Sequence, residues 1–172
     1  MMAVESDVSE EWDSRGDWPG LAVRAVEAAV AASDLDWMGA CETGFEVSLS
    51  FSSDDHVRAL NADWRGKDKA TNVLSFPMIE RDLIVTFRRS GPGEALLGDV
   101  ILAHGVCAAE AAEKGVDVET HAAHLIVHGT LHLLGYDHET GDDDAAAMEE
   151  IERRALASIG ISDPYHVKEV QI

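Results

Sequence analysis

The chain has 172 residues, 46% of them hydrophobic, which is enough for one compact domain with a sizeable core. Its formal net charge of −20 argues against a general affinity for nucleic acid, because phosphate binding requires lysine and arginine. No apolar run approaches the roughly 20 residues of a membrane span, and no signal-peptide pattern is present. The two cysteines are far apart and match no metal or redox spacing. We therefore expect a cytoplasmic protein.

The predicted elements alternate helices with short strands. We expect an acidic, partly flexible N-terminal head in residues 1–17 and a single domain over 18–172. In chain order we predict a helix over 18–32, a strand over 45–51, a helix over 53–64, strands over 71–76, 83–87 and 99–103, and helices over 104–115, 118–134 and 142–159. This order indicates an α/β sandwich around a small mixed sheet.

Three histidines stand close together in the helix predicted over 118–134 and just after it. His128 and His132 are four residues apart, so a helix places them on one face, one turn apart. Gly135 allows the chain to leave the helix through a left-handed or tight turn, which would bring His138 back towards them. Three imidazoles with one open position are typical of catalytic zinc. We therefore predict one Zn²⁺ per chain, held by three histidines and a water.

The histidine pattern equals the zinc-protease motif H-E-x-x-H-x-x-G-x-x-H with one change. Gly129 occupies the position of the glutamate that acts as general base in those proteases. The missing base argues for zinc chemistry on a substrate other than a peptide bond. A glycine at this position could permit close approach of substrate or tight packing of the helix.

Basic residues concentrate in the middle of this acidic chain. Between positions 58 and 89 lie seven of the 13 lysines and arginines, against four acidic residues. Such a cluster could be a local positive surface for a polyanion or an ordinary solvated face. The basic residues are Arg58, Arg65, Lys67, Lys69, Arg81, Arg88 and Arg89.

Several segments together resemble one protein family. Residues 60–76 read LNADWRGKDKATNVLSF, residues 97–102 read LGDVIL, residues 121–138 read HAAHLIVHGTLHLLGYDH, and residues 163–165 read Asp-Pro-Tyr. This combination resembles the YbeY family, bacterial ribosomal RNA maturation factors described as zinc-dependent, single-strand-specific endoribonucleases. The likeness extends over most of the chain, from about residue 45 to about residue 165.

The resemblance implies a fold, a reaction and partners. The expected fold is a small mixed four-stranded sheet packed with about five helices. The expected function is processing of the 16S ribosomal RNA 3′ end, with a part in ribosome maturation and quality control. The implied partners are ribosomal RNA, the small ribosomal subunit and ribosomal or assembly proteins, with no membrane. In the matching motif, His128, His132 and His138 are the metal ligands.

The same resemblance matches Arg65 with an arginine important for activity. A guanidinium suits this role because it is always charged and pairs bidentately with phosphate oxygens. The alternative is a surface ion pair with Asp63 or Asp68. Lys67 and Lys69 would add non-specific attraction to the RNA backbone, or they are simply two exposed lysines in a turn.

Three further residues are candidates for positions around the metal. Asp137 and Asp99 could orient an imidazole through its second nitrogen, as carboxylates near metal ligands do, or they could cap turns. His124 lies one helical turn before His128 and would line the pocket or pack in its wall. His121 begins the helix and is expected to be exposed. No general base is apparent.

Two other functions remain open from the sequence. One is a non-catalytic ribosome-assembly factor whose metal is structural, and the other is a zinc hydrolase of a non-RNA substrate. Three visible ligands favour an open site, since structural zinc is usually closed by four. For RNA cleavage, the nucleophile could be a metal-bound hydroxide or the ribose 2′-OH.

Overall fold

The computed structural model describes residues 1–137 and 141–165. Its centre is a mixed four-stranded sheet in the order β1-β2-β4-β3. Strands β1, β2 and β4 run parallel, and β3 pairs antiparallel with β4 at one edge. The strands are β1 (Met2–Val8), β2 (Thr43–Ser52), β3 (Val73–Pro77) and β4 (Gly93–Ala103).

Helices cover both faces of this sheet. Helices α1 and α5 pack against one face, and α6 packs against both of them. Helix α2 covers part of the other face, where Val57 packs against Leu74 and Ile101. The helices are α1 (Trp18–Ala32), α2 (Asp54–Arg65), α3 (Arg81–Thr86), α4 (His104–Lys114), α5 (Val118–Leu133) and α6 (Asp142–Ser158). The predicted fold class is confirmed.

The main core lies between the sheet and helices α1 and α5. In β2 the buried residues Phe45, Val47, Leu49 and Phe51 alternate with half-exposed polar ones, as a strand with one covered face requires. Burying each such side chain contributes roughly 1.5–3 kcal/mol. The alternation in FEVSLSF therefore determines which face of the sheet receives the helices. In the described part of the chain, no helix has the length and apolar character needed to cross a membrane.

Two stretches differ from their predicted structure. The predicted strand over 83–87 is wrong, because Arg81–Thr86 is α3 and only Ile84 of this helix is buried. The fourth strand is instead β1, which comes from the acidic head and pairs with β2 through Met2–Val8. Its residues alternate between half-buried and exposed through most of the strand, which is a strand pattern despite the acidic composition. Flexibility of the head in solution stays a prediction.

Gly129 lies where α5 makes its close approach to the sheet. A Cβ on Gly129 would stand 2.8 Å from Cγ1 of Val100 and 3.1 Å from Oγ of Ser75. The Ser75 hydroxyl also donates a hydrogen bond of 3.2 Å to the Gly129 carbonyl. Of the two explanations for this glycine, tight packing of the helix against the sheet accounts for it.

We expect Gly129→Ala to lower the free energy of unfolding by about 1–2 kcal/mol. Overpacking against Val100 costs roughly 1–3 kcal/mol, and the better helix propensity of alanine recovers up to about 1 kcal/mol. Urea denaturation measures the difference. Gly39→Ala is the control, because a Cβ there meets nothing within 4 Å. Equal stability of the two variants would contradict the packing explanation.

Candidate metal centre and groove

Two of the predicted metal ligands face each other on α5. Asp117 caps the start of the helix, and its carboxylate accepts the Thr120 N–H at 2.8 Å. Three turns later the rings of His128 and His132 lie 4.6 Å apart between centroids. Their Nε2 atoms are 3.1 Å apart. The i, i+4 spacing thus produces the convergence that the sequence predicts.

The other nitrogen of each ring identifies the tautomer. His132 Nδ1 contacts the Tyr136 carbonyl oxygen at 2.9 Å, and His128 Nδ1 contacts Oε2 of Glu152 at 3.3 Å. A carbonyl and an ionised carboxylate only accept hydrogen bonds, so each Nδ1 is the protonated nitrogen. In the neutral rings both Nε2 atoms then carry lone pairs that point towards each other. At 3.1 Å the two nitrogens form a hydrogen bond when one ring is doubly protonated, and they can share a cation when both rings are neutral.

The separation of the two nitrogens fits such a cation. Zinc–imidazole bonds of about 2.05 Å at a tetrahedral angle place two ligand nitrogens about 3.3 Å apart. The observed 3.1 Å is close to that value. The third predicted ligand, His138, lies outside the described residues. Within the described ranges no group of three metal-ligating side chains is present.

Glu152 is a site residue that the sequence reasoning missed. It projects from α6, is 1% exposed, and accepts hydrogen bonds of 2.8 Å from both His124 Nε2 and the Tyr165 hydroxyl. Burial alone would raise its pKa, but hydrogen bonds from His124 and His128 outweigh that effect and hold the pKa of Glu152 at about 2. Glu152 follows Met148 by four residues and therefore lies on the buried face of α6. A glutamate at such a position was the signal in the sequence that could have identified it.

The two remaining histidines of α5 are both buried. His124 packs in the wall behind the two predicted metal ligands and contacts Glu152 rather than the groove. The expectation that His121 is exposed is wrong, since it is 3% exposed and its Nε2 lies 2.7 Å from Oε1 of Glu110. Burial is the main reason that the pKa of His121 is lowered. Glu110 also accepts a hydrogen bond of 3.0 Å from Asn72, a residue of the groove.

The two histidines lie in a groove of about 720 Å³ that follows the edge strand β3. The groove also receives Arg65, Lys67 and Lys69, all of them exposed. The structure therefore brings these three predicted cationic residues together with the two described histidines. The remaining lining residues are Asn61, Thr71, Asn72, Val73, Ser75, Pro77, Gly135, Tyr136 and Asp137.

The loop after α2, which carries Lys67 and Lys69, is held in place by the end of that helix. Gly66 adopts φ +69°, the left-handed conformation that ends a helix, and its N–H returns to the Ala62 carbonyl. The amide of the buried Asn61 donates to the Lys69 carbonyl at 2.9 Å, and the Lys67 N–H bonds to the Asn61 carbonyl. The Arg-Gly-Lys sequence thus turns the chain so that its cations line one wall.

The alternative role for Arg65 finds no support at Asp68. Asp68 instead pairs with Arg58, whose Nε lies 2.8 Å from Oδ1 of Asp68. Arg65 borders the same groove as the two histidines. Its predicted role on phosphate stays a prediction that this placement favours.

The two candidate orienting carboxylates have different positions. Asp137 lines the groove, and its role stays a prediction. Asp99 lies in a depression with Glu5 and Asp7 on the outer face of the sheet. Because successive residues of a strand point to opposite faces, and Val100 contacts α5, Asp99 faces away from it. Contrary to the prediction, Asp99 is not brought to either imidazole.

Comparison with known proteins identifies the family that this chain resembles. A family model described as Endoribonuclease YbeY matches residues 21–160. An endoribonuclease YbeY of Rhizorhabdus wittichii is 53% identical over 169 residues, covering 98% of this chain and 99% of that protein. One from Novosphingobium aromaticivorans is 51% identical over 167 residues, covering 96% and 97%. These matches confirm the predicted resemblance and the predicted enzyme class, an endoribonuclease.

A solved structure supports the fold alone. A solution structure of a Thermotoga maritima protein superposes with a TM-score of 0.54 at 22% sequence identity and covers 91% of each chain. The mixed sheet with its surrounding helices is therefore a fold that has been observed by experiment.

Proposed function

The chain belongs to the endoribonuclease YbeY family, and from this we propose that it is a zinc-dependent, single-strand-specific endoribonuclease that processes the 3′ end of 16S ribosomal RNA. One observation carries the metal part of the proposal, which is the pair of Nε2 atoms 3.1 Å apart in a groove lined by cations. The proposed partner is the small ribosomal subunit with its assembly proteins, and the proposed compartment is the cytoplasm.

The two walls of the groove have different proposed roles, metal binding and substrate binding. His128 and His132, with His138 as the proposed third ligand, would hold one zinc ion. When bound, zinc polarises a phosphoryl oxygen and acidifies a water molecule. Glu152 and the Tyr136 carbonyl keep the Nδ1 protons in place, so that Nε2 stays available for the metal.

The opposite wall supplies positive charge for the substrate. Arg65 can pair bidentately with the scissile phosphate and offset the negative charge that develops there, while Lys67 and Lys69 attract neighbouring phosphates. On a chain of net charge −20, this local excess of cations directs a polyanion to the groove. The products identify the nucleophile: a 2′,3′-cyclic phosphate indicates the ribose 2′-OH, and a plain phosphate indicates a hydroxide.

Substitution of Arg65 tests the proposed reaction. We expect Arg65→Ala to reduce cleavage of a single-stranded ribosomal RNA fragment by roughly 100-fold or more, as loss of one group that stabilises developing charge does. Metal content and melting temperature should not change, because Arg65 is exposed. Arg24→Ala is the matched control, since Arg24 is exposed on α1 and outside the groove. Full activity of Arg65→Ala would remove this residue from the mechanism.

Glu152 offers a test of the metal site that does not depend on activity. We expect Glu152→Gln to weaken zinc binding about 10- to 100-fold, because the neutral amide no longer holds the Nδ1 proton of His128 with a full charge. Competition with a chromophoric chelator measures the affinity. Glu149→Gln on the exposed side of the same helix is the control. Identical zinc affinity in both variants would show that Glu152 does not orient the ligand.

A further inference from the structure

Trp64 is an exposed aromatic side chain that the core does not use. It is 72% exposed, whereas Trp12 and Trp18 are 2% and 3% exposed. Its only aromatic neighbour among the described residues is Phe76, whose ring centroid lies 6.4 Å away at an interplanar angle of 65°. A large apolar ring left in water in this way is a candidate for contact with a ligand.

Trp64 lies beside a residue that lines the groove. It precedes Arg65 near the end of α2, so the two side chains project about 100° apart around the helix axis. Phe76, next to its ring, belongs to the apolar cluster on the α2 side of β3, whereas Ser75 and Pro77 on the other face of this edge strand line the groove. Met78, 61% exposed, follows on the same side of the chain. Trp64, Phe76 and Met78 form an apolar strip, here called the aromatic rim.

We propose that the Trp64 indole is a stacking platform for an unpaired base of the RNA strand whose phosphate Arg65 holds. This inference rests on the proposed function and adds a binding position to it. Proteins that hold single strands combine a cationic track for the backbone with aromatic faces for the bases. Here the two elements are adjacent residues, Trp64 and Arg65, with Phe76 supporting the ring from behind.

The charge around the aromatic rim and its small area favour RNA over a protein as its ligand. The aromatic rim adjoins Arg65, Lys67 and Lys69, a concentration of positive charge on an acidic chain, which suits a polyanion. A standard protein interface buries roughly 800 Å² on each partner, and three side chains provide much less. Stacking on Trp64 also requires a base that is not paired, so the rim supplies a physical reason for a preference for single strands.

Binding measurements on a cleavage-deficient background test the proposal. Single-stranded RNA is titrated against His132→Ala protein, with and without Trp64→Ala, while tryptophan fluorescence is followed. We expect the RNA to quench fluorescence only when Trp64 is present, and the Kd to rise roughly 5- to 150-fold without it, which corresponds to the 1–3 kcal/mol of one stacked base. Trp64→Phe should recover most of the affinity.

Two controls separate stacking from other effects. Leu83→Ala removes another exposed apolar side chain, 53% exposed on α3, and should leave the Kd unchanged. An abasic position moved along the oligonucleotide should weaken binding at one site in the protein that has Trp64, with no further loss in Trp64→Ala. In the otherwise native enzyme, Trp64→Ala should raise KM with little change in kcat. Its unfolding free energy should stay within about 0.5 kcal/mol.

The outcomes distinguish this inference from the proposed function. Suppose that Trp64→Ala shows unchanged affinity and quenching while the native chain cleaves RNA normally. This result would overturn the stacking role alone, and the aromatic rim would then be assigned to contact with a protein partner. Trp64-dependent binding by a native chain that does not cleave RNA would overturn the catalytic proposal and support the platform.

Discussion

Replacing His132 by alanine should remove both the metal and the RNA cleavage of this protein. One of two facing Nε2 donors is lost, and the other, on His128, cannot hold the ion in the same way. We expect metal content to fall by about one ion per chain. Cleavage should fall by more than the roughly 10- to 100-fold that loss of a residue behind a ligand costs. Elemental analysis and cleavage of a single-stranded ribosomal RNA fragment are measured on the same preparation.

A histidine outside the groove provides the matched control for this experiment. His56 is exposed on α2 and pairs with the Ser52 hydroxyl at 2.7 Å, so His56→Ala should retain metal and cleavage. Loss of metal with unchanged cleavage in His132→Ala would indicate a contaminating nuclease or a structural ion. The assembly-factor function would then be preferred. Retention of a full complement of metal would show that His132 is not a ligand.

Gly98→Ala should destabilise the fold by roughly 3–5 kcal/mol, because strain and overpacking occur at the same residue. Gly98 has φ +146°, and a Cβ there would stand 2.2 Å from the Phe76 carbonyl oxygen and 2.9 Å from Cδ2 of Leu133. The glycine follows a bulge at Leu97, where β4 carries one residue more than β2. Displacing Phe76 would separate β3 from β4.

The Gly98→Ala substitution should also affect the groove. Strand β3 contributes Val73, Ser75 and Pro77 to the groove wall, so cleavage by Gly98→Ala should fall together with stability. Urea denaturation measures the stability by linear extrapolation. Gly44→Ala in β2 is the matched control, because its Cβ would make only an ordinary contact of 3.6 Å with the Gly93 carbonyl. A Gly98→Ala midpoint equal to that of the native chain would contradict the expected strain.

Features that depend only on residues close together in the chain could be predicted from the amino-acid sequence. Helical periodicity requires residues four apart to share a face, so the pairing of His128 and His132 followed from spacing alone. The strict alternation in β2 and the Ser53 start of α2 were equally local, and both elements are found where they were predicted. The family could be recognised for the same reason, since its motifs are short continuous segments.

Local signals failed where two structures were compatible with the same residues. The apolar run around Leu83 and Ile84 resembles a strand, but it closes as the short helix α3, in which only Ile84 is buried. The acidic composition of residues 1–17 concealed β1, which gains its stability from pairing with β2 across more than 40 residues of sequence. Pairing over that distance is not encoded in a local pattern.

The carboxylate next to His128 depends on how α5 and α6 pack together. Asp99 was a candidate from the sequence, yet the carboxylate that contacts Nδ1 of His128 is that of Glu152, 24 residues along the chain. Likewise, the closeness of Val100 to α5 explains why a residue without a side chain is needed at Gly129. Spacing within one helix determines which side chains point the same way, whereas the residues they meet depend on how separate helices and strands pack. The facing pair of histidines was therefore readable from the sequence, and the residues that support it were not.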